Sequence, residues 1–438
     1  MIAPRNRLLV AVGAIAGGAA LLAAIVPGFA IPAIAIALAL AAIAAADGIA
    51  AARGLAGVSI QTLPMLRTVR DRETELLFSV VNRGPEVRSL QAALALPEPF
   101  HTTAATLEGG PRLGRDQRFD LHAEFSSARR GEFHIARCWI RAESKLGLWS
   151  ARKAAPMDLT VRVYPNLRTD ETAAEFLKRG TSGSRLVRMT GKGREFEKLR
   201  DYAHGDSFDE VDWKATARRG KPVVRVFQVE RTQEIYVAID ASRLSGRPLG
   251  AYSTLEHYVS ASLVMGLAAE AQGDRFGLIT FSDRLHKFVP ARGGKQHYTT
   301  CRDAIYRLEP RLVEPDFGEL FSFLETRLTK RALVVILTAL DDPLIGETFA
   351  RHVSIASRRH LVIAAMIRPE GANPLFESAA RDVDDIYGHL AGHLRWRGLM
   401  ELTGECRRKG VRLHLLNPEK LSGQLTSIYL DVKRRQQL

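Results

Sequence analysis

The stretch "EIYVAIDASRLSG", residues 234–246, decides the fold of the second half of this 438-residue chain. It begins as an unbroken apolar run, which is typical of a strand buried on both faces. Four similar runs follow, at residues 275–282, 333–340, 361–367 and 411–416. Stretches with helical patterning alternate with them, at residues 254–272, 297–309, 317–330, 346–359 and 389–409. This alternation predicts a doubly wound α/β domain over residues 231–438.

Ligands bind beyond the carboxyl ends of the strands in such a sheet, so the residues after the first run are candidates. Asp240 and Ser242 stand there, one residue apart. This pattern resembles the von Willebrand factor A domain, whose metal site uses Asp-x-Ser-x-Ser at this place. The resemblance implies a Mg²⁺ site at Asp240 and Ser242, since carboxylate and hydroxyl oxygens suit that ion.

The chain departs from this metal-site pattern at two positions. Leu244 occupies the second serine slot, and Ala339 occupies the slot of a further acidic ligand. Asp341 and Asp342 follow two or more residues too late. We therefore expect the metal site to be degenerate, with no cofactor bound. The remaining carboxylate is then expected to act as a hydrogen-bond acceptor that fixes the loop.

A second informative stretch precedes the sheet: "GREFEKLRDYAHGDSFDEVDWKATARRGKPVVRVF", residues 193–227. Its residues recur in register with the signature of the bacterial family called "domain of unknown function 58", which the chain resembles. We assign the matching positions to a family interaction motif: Glu195, Phe196, Arg200, Tyr202, Gly205, Asp206, Asp212, Trp213, Lys214, Arg218 and Arg225.

The family resemblance implies a layout and a partner. The layout is two membrane helices, a sandwich-like region, the signature over residues 193–230 and a von Willebrand A-like domain. The implied partner is a MoxR-type AAA+ ATPase, acting in maturation or remodelling of client proteins. The chain would then be a non-enzymatic membrane-anchored interaction platform. Asp209 reverses the charge of an arginine that is common in the family, so an ion pair made there is absent or rewired.

The residues of the signature also predict a short helix. Ser207 and Glu210 have the spacing of a capping box, in which the first residue caps the helix and the fourth reaches back to it. Basic residues near the end and a terminal Gly220 are typical of a helix stop. The predicted helix covers residues 207–219.

Helical periodicity separates two faces of this predicted helix. Phe208, Val211 and Ala215 form one apolar stripe, whereas Trp213 points roughly 140° away. Trp213 is therefore expected to contact a second surface. That surface is the sandwich, if the helix forms an inter-domain joint, or else a partner protein or a substrate. Hydrolysis with Glu195 or Asp212 as general base is an alternative, but neither has an identifiable nucleophile or metal beside it.

The first fifty residues carry two uncharged apolar runs, Leu8–Val26 and Phe29–Ala46. About 18 residues of helix span nearly 30 Å, so we predict a membrane anchor of two transmembrane helices within residues 1–53. A cleaved signal peptide and a buried core hairpin are the alternatives. Arg5, Arg7 and Arg53 flank the spans. By the positive-inside rule the soluble domains are cytoplasmic, which predicts location at the bacterial inner membrane.

Between the anchor and the signature, residues 58–165 show short alternating stretches separated by turn residues. This pattern predicts an all-β sandwich-like domain. Residues 166–192, which contain "TSGSRLVRMTGKG", are expected to form a linker. The whole chain is therefore predicted to be multidomain.

Composition excludes several function classes. The net charge of +14 invites nucleic-acid binding, but basic and acidic residues adjoin each other, and an anionic membrane surface also attracts basic chains. The three widely spaced cysteines support neither a zinc site nor a disulfide framework. His389 with His393, and His297 with Cys301, have metal-ligand spacing but lack a third ligand. Nucleotide-binding and hydrolase motifs are absent.

Overall fold

The computed structural model describes residues 1–25, 30–104, 106–108, 110, 112–167, 175, 195–203, 207–228, 232–375, 377 and 382–435. The chain divides into two compact units, Met1–Asn166 and Leu167–Leu438. The predicted anchor and sandwich thus fall within the first unit, and the predicted signature and α/β domain within the second.

Two helices begin the first unit, α1 (Asn6–Ile25) and α2 (Ala30–Ala56). Among the described residues, one stretch, Ile34–Ala56, is long and apolar enough to cross a membrane. The described apolar portion of α1, Asn6–Ala19, is too short to meet that criterion. Two membrane spans are therefore not shown, whereas one candidate span is. The Pro27-Gly28 pair between the two apolar runs, where we expect the chain to break, lies outside the described residues.

The helix α2 continues ten residues past the predicted end of the second apolar run and packs on the sandwich. Leu55 belongs to the sandwich core. The indole N–H of Trp149 donates to the Ala44 carbonyl at 2.7 Å, and the buried Asp47 carboxylate accepts from the Leu146 N–H at 3.1 Å. The last three turns of α2 are therefore held by the β domain, which the apolar pattern alone did not indicate.

The described residues of the first unit also form eleven strands, in two sheets. One sheet has the order β1-β11-β10-β5-β7, with β3 also paired to β11 and β8 to β5, and the other has the order β2-β4-β9-β6. The strands are β1 (Ile2–Pro4), β2 (Val58–Gln61), β3 (Met65–Val69), β4 (Thr74–Asn82), β5 (Val87–Leu94), β6 (Phe100–Thr102), β7 (Leu107–Glu108), β8 (Arg112–Leu113), β9 (Gln117–Ser127), β10 (Gly131–Glu143) and β11 (Trp149–Tyr164).

Alternating side chains of both sheets meet in one hydrophobic core, as the period-2 pattern predicts. Leu76, Phe78 and Val80 of β4 are buried, whereas the intervening Leu77 is 47% exposed. Strand β1 was not predicted. It pairs antiparallel with β11, with Ile2 opposite Ala151. The sheets support a sandwich-like β domain in this unit.

The second unit begins with a small module. Strands β12 (Glu195–Asp201) and β13 (Val223–Gln228) form an antiparallel pair. Between them lie a 3₁₀ turn, Phe208–Glu210, and a short helix, α3 (Trp213–Arg219). This module coincides with the signature stretch.

A six-stranded sheet forms the centre of the second unit, in the order β18-β17-β14-β19-β20-β21. All neighbours pair parallel except β17 and β18, which pair antiparallel. The sheet strands and a small extra pair, β15 and β16, are β14 (Glu234–Asp240), β15 (Pro248–Leu249), β16 (Tyr252–Ser253), β17 (Arg275–Phe281), β18 (Leu285–Arg292), β19 (Leu333–Leu337), β20 (Leu361–Ile367) and β21 (Arg412–Leu416).

Helices cover both faces of this sheet. The helices are α4 (Thr254–Ala271), α5 (Lys295–Ile305), α6 (Phe317–Arg327), α7 (Pro343–Ser357), α8 (Val383–Arg408) and α9 (Leu421–Arg434). One core cluster joins the sheet to α4, α5 and α9, and a second cluster joins its other face to α6, α7 and α8. The doubly wound α/β prediction is confirmed, with the five predicted strands and five predicted helices in place. Strand β18 and helix α9 were not predicted.

Candidate functional site

Asp240 ends β14 at the carboxyl edge of the sheet and is fully buried. Its Oδ1 accepts from the Ser242 backbone N–H at 2.8 Å, and its Oδ2 accepts from the Thr338 hydroxyl at 2.6 Å. Burial raises the pKa of Asp240 above its ordinary value, although these hydrogen bonds oppose the shift. Because Thr338 follows the neighbouring strand β19, the carboxylate joins two adjacent strand ends.

Ser242 lies beside this carboxylate and is also fully buried. Its carbonyl accepts from the Ser245 hydroxyl at 2.7 Å, but its own hydroxyl makes no well-formed hydrogen bond, although its interaction with the Asp240 carboxylate helps to oppose the rise in that group's pKa. A buried polar atom without a well-formed hydrogen bond costs about 1–3 kcal/mol. The Ser242 hydroxyl is therefore the atom at this edge that a ligand would satisfy.

The surrounding residues do not fit a divalent-metal site. Leu244 and Ala339 are buried and offer no side-chain oxygen. Asp341 forms an ion pair with Arg247. The Asp342 side chain caps α7 by accepting from a backbone N–H, so it is already engaged. Within the described ranges, no group of three His, Cys, Asp or Glu side chains could hold an ion.

The two His-containing pairs have other neighbours. His297 contacts a backbone carbonyl of β17 at 2.8 Å, and the Cys301 sulfur lies 3.4 Å from the same ring nitrogen. His393 accepts from the Leu375 N–H at 3.1 Å. Neither the pair of His297 and Cys301 nor the pair of His389 and His393 gains a third ligand in the described part of the chain.

The signature module is held by its own backbone. Strands β12 and β13 pair from Glu195 opposite Gln228 to Asp201 opposite Val223. The Asp212 N–H donates to the Val223 carbonyl at 2.8 Å, which ties the start of α3 to the hairpin. The module thus presents a short helix above a two-stranded ribbon.

The helix of this module begins later than its sequence predicts. Ser207 makes no side-chain cap bond, and the backbone leaves helical geometry at Val211. Asp212 caps α3 instead, accepting from the Ala215 N–H at 2.9 Å. The capping-box prediction was therefore wrong, because an aspartate closer to the helix offers a better-placed acceptor. Gly220 ends α3 in the left-handed region with φ of 67°, as the sequence predicts.

The predicted apolar stripe is also wrong, because Phe208 lies in the 3₁₀ turn and not on α3. Phe208 is 72% exposed and Trp213 is 68% exposed, whereas Val211 is buried. The Tyr202 and Phe208 rings lie 5.8 Å apart. Lys214 and Arg218 are also exposed on α3. We call Tyr202, Phe208, Trp213, Lys214 and Arg218 the aromatic–basic surface.

Residues 198–378 match a family model described as "Protein of unknown function DUF58". We call residues 198–378, which match this model, the DUF58 segment. This segment begins inside β12, so it includes the aromatic–basic surface and Asp240 but not the helices and sandwich of the first unit. The resemblance predicted from the signature is confirmed over this range.

Curated relatives match a similar share of the chain, 45% and 40% in the two cases below. An uncharacterized protein of Mycobacterium tuberculosis (strain ATCC 25618 / H37Rv) is 27% identical over 201 residues, which are 45% of this chain and 62% of that protein. The uncharacterized protein YeaD of Bacillus subtilis is 25% identical over 177 residues, 40% of this chain and 42% of that protein. The matched region thus spans less than two thirds of either relative.

Two solved structures that share similarity with part of the chain are the following. One is the conserved hypothetical protein BatB of Bacteroides thetaiotaomicron, with 16% identity and a TM-score of 0.29, covering 46% of this chain and 99% of that one. The other is the SpRpn10 VWA domain, with 11% identity and a TM-score of 0.27, covering 46% and 94%. Since these TM-scores are low, the fold assignment above relies on the strand order of the chain itself.

The DUF58 segment brings only some of the predicted motif residues together. Asp212, Trp213, Lys214 and Arg218 lie on or next to α3. The side chain of Arg200 donates to the neighbouring Asp201 carbonyl at 3.2 Å. Two motif residues, and the side chains of three others, lie outside the described part of the chain: Gly205 and Asp206, then Glu195, Phe196 and Arg225.

One further polar cluster in the second unit escaped sequence reasoning. The buried Asp274 carboxylate accepts from the Tyr429 hydroxyl, from Lys433 at 2.7 Å and from the Gln233 N–H at 3.1 Å. It fastens α9 to the turn before β17. Because its members lie far apart in the sequence, no local spacing could reveal it.

Proposed function

We propose that this chain is a non-enzymatic, membrane-anchored protein-interaction platform that partners a MoxR-type AAA+ ATPase in maturation or remodelling of client proteins. The DUF58 segment and its doubly wound sheet suggest an interaction or adhesion module. The ATPase would supply the energy, and the aromatic–basic surface would supply recognition. The family resemblance supports the partner class.

The exposure of Trp213 is the observation that carries this proposal. Large aromatic side chains are normally buried, and Trp, Tyr and Arg dominate the binding energy of protein interfaces. Here Trp213 is 68% exposed and Phe208 is 72% exposed, and Lys214 and Arg218 of the same module are also exposed. Exposed aromatics and cations in one small module suit an acidic protein surface better than a nucleic acid, for which the module lacks a known binding motif.

Replacing Trp213 by alanine is expected to reduce capture of the host's purified MoxR-type ATPase by about thirty-fold, the effect of losing a strong interface residue. Stability should hardly change, because the side chain is exposed. The measurement is binding of ATPase, with ATP or a non-hydrolysable analogue, to the immobilised full chain in detergent.

Trp139 is the matched control, since it is 49% exposed on β10 in the first unit. Trp139→Ala should bind the ATPase as the parent chain does. Equal loss in both variants, or no loss in Trp213→Ala, would remove the residue on which the proposal depends.

Membrane anchoring is part of the same proposal, with α1 and α2 as a spanning hairpin and with the β domain of the first unit and the whole second unit in the cytoplasm. The apolar stretch Ile34–Ala56 and the exposed apolar side chains of α1 and of the first half of α2 support it, whereas the last three turns of α2 pack on the β domain. Arg5 and Arg53 lie at the two ends that the positive-inside rule places in the cytoplasm.

An impermeant thiol reagent tests this orientation in spheroplasts. Gly28→Cys should be labelled from outside, and Arg53→Cys only after permeabilisation. The native cysteines Cys138, Cys301 and Cys406 are buried, so background labelling should be low. The reverse labelling pattern would contradict the proposed topology.

A metal-dependent adhesion module or hydrolase using Asp240 and Ser242 is the second candidate. The fully buried hydroxyl of Ser242, which makes no well-formed hydrogen bond, favours it. Leu244 and Ala339 oppose it, because they remove the oxygen ligands that such a site needs. We therefore rank it below the interaction platform.

A further inference from the structure

The helix α8 presents an apolar stripe on the side that faces away from the core. Val383, Tyr387, Leu390 and Leu394 are 63%, 67%, 46% and 60% exposed. At 100° per residue these four positions lie within about 40° of one another's mean direction. A single exposed leucine needs no explanation, but a contiguous apolar stripe marks an interaction site.

The opposite side of α8 is the one that packs on its own unit. Gly392, Leu399 and Cys406 are its buried residues. They lie roughly 140–180° around the helix from Val383. The exposed stripe is thus a second apolar face, and the α/β core already has its own contact with the helix.

The spacing of the stripe is that of a helix–helix seam. From Val383 the steps to Tyr387, Leu390 and Leu394 are four, three and four residues, the alternation found at the apolar positions of coiled coils. The seam is roughly 16 Å long, since each residue rises about 1.5 Å. The surface therefore fits another helix with the same spacing.

The charges along α8 indicate which helix fits. Its first turn is acidic, with Asp382, Asp384 and Asp385, and basic residues follow the stripe at Arg395 and Arg397. An antiparallel copy of the same helix would place its basic end on this acidic end, twice. A two-fold interface requires such self-complementarity.

We propose that α8 pairs antiparallel with α8 of a second copy of this chain. Val383 of one copy then lies opposite Leu394 of the other, Tyr387 lies opposite Leu390, and Asp384 lies on the same flank of the pair as Arg395. A seam of this length buries less than the ~1,200–2,000 Å² of stable complexes, so the dimer is weak and depends on concentration. Tethering to a membrane, as proposed above, raises that concentration.

Disulfide trapping tests both the pairing and its direction. Val383→Cys and Leu394→Cys variants of the full chain, carrying different tags, are oxidised in detergent separately and as a mixture. We expect a strong mixed dimer band and at least ten-fold less of either homodimer. Burial raises the pKa of Cys138 and Cys301 to about 12 and of Cys406 to about 11, so the native thiols should stay silent.

A Leu390→Asp change in the mixed pair should lower trapping at least ten-fold. Gly388→Asp is the matched control, because it adds the same charge roughly 160° around the helix, where its Cβ meets nothing within 4 Å. It should leave trapping unchanged. Circular dichroism verifies that both variants fold.

Three results would overturn the proposal. Efficient Val383→Cys homodimers would mean parallel pairing. An absence of trapping in the mixture would mean that this face does not meet a second copy. Trapping that survives Leu390→Asp would mean that the apolar stripe does not hold the two copies together. If an unrelated co-purifying protein were lost in the same variant, the stripe would be assigned to that different partner. Because the ATPase is not present in the assay, none of these outcomes depends on the proposed platform function.

Discussion

Replacing Asp240 by alanine is expected to lower the free energy of unfolding of the second unit by about 2–4 kcal/mol. The change leaves two buried donors, the Ser242 N–H and the Thr338 hydroxyl, without an acceptor. Each such orphan costs about 1–3 kcal/mol. Pulse proteolysis of the full chain in urea measures the loss.

Asp240→Asn separates the hydrogen bonds from the charge. The amide oxygen can accept one bond and the Thr338 hydroxyl can turn to accept the other, so we expect a cost within about 1 kcal/mol near neutral pH. Because burial raises the pKa of Asp240 above its ordinary 3.8, the folded state favours the protonated acid.

The sign of the pH dependence follows from this shift. The stability that the neutral acid contributes is fully present below pH 3.8 and declines as the pH rises from 3.8 through the higher folded-state pKa. Over that pH window, the free energy of unfolding of the parent should fall relative to that of Asp240→Asn. At higher pH the difference between the two should become constant. A difference that moves the other way would mean that the carboxylate is preferred in its charged form.

Calorimetric titration with Mg²⁺ of the parent chain and of Asp240→Ala tests the alternative in which Asp240 binds a metal. We expect no difference in Mg²⁺ binding between the parent chain and Asp240→Ala. A loss of Mg²⁺ binding in Asp240→Ala would show that Ser242 and the carboxylate suffice for an ion despite Leu244 and Ala339, and the second candidate function would take precedence.

The other large effect is expected at Gly392, where α8 meets its own unit. A Cβ on Gly392 would lie 2.0 Å from the Gly371 carbonyl oxygen, and backbone cannot swing away as a flexible side chain does. Gly392→Ala should therefore push α8 outward and cost about 1–3 kcal/mol or more. The midpoint of thermal unfolding should fall accordingly.

The same substitution four residues earlier should have the opposite sign. Gly388 has nothing within 4 Å of its added Cβ. Alanine there removes backbone entropy from the unfolded chain and should stabilise α8 by about 0.5–1 kcal/mol. If the two variants unfolded together, α8 would not pack against Gly371 as the structure has it.

Much of the second unit could be predicted because its signals are local. The apolar residues 235–239 in Glu234–Asp240, and the apolar strand Leu361–Ile367, identify buried strands by themselves. Strand β18 escaped because its sequence, "LHKFVPAR", mixes charges and a proline with few apolar residues, as an edge strand does. Helix α9 follows a turn at Pro418–Lys420 that hides its start.

The candidate sites were predictable to a lesser degree. Asp240 could be chosen because a carboxylate directly after a buried strand is unusual. Its partner Thr338 is 98 residues away, and only the parallel pairing of β14 with β19 brings them together. At α3, two acceptors competed for the same cap, and sequence spacing favoured Ser207 whereas the backbone favours Asp212. Local spacing cannot decide between acceptors whose positions depend on the hairpin.

The edge strand β1 cannot pair until most of the first unit has been synthesised. Its residues precede α1, yet their partner in the sheet, with Ile2 opposite Ala151, is made about 150 residues later. At roughly 5–20 residues per second, β1 waits about 8–30 s for β11 to leave the ribosome. During that interval the apolar helices have already been translated, and an unpaired edge stands ready to join a wrong strand. Early insertion of the helices into a bilayer would hold β1 in place until β11 arrives.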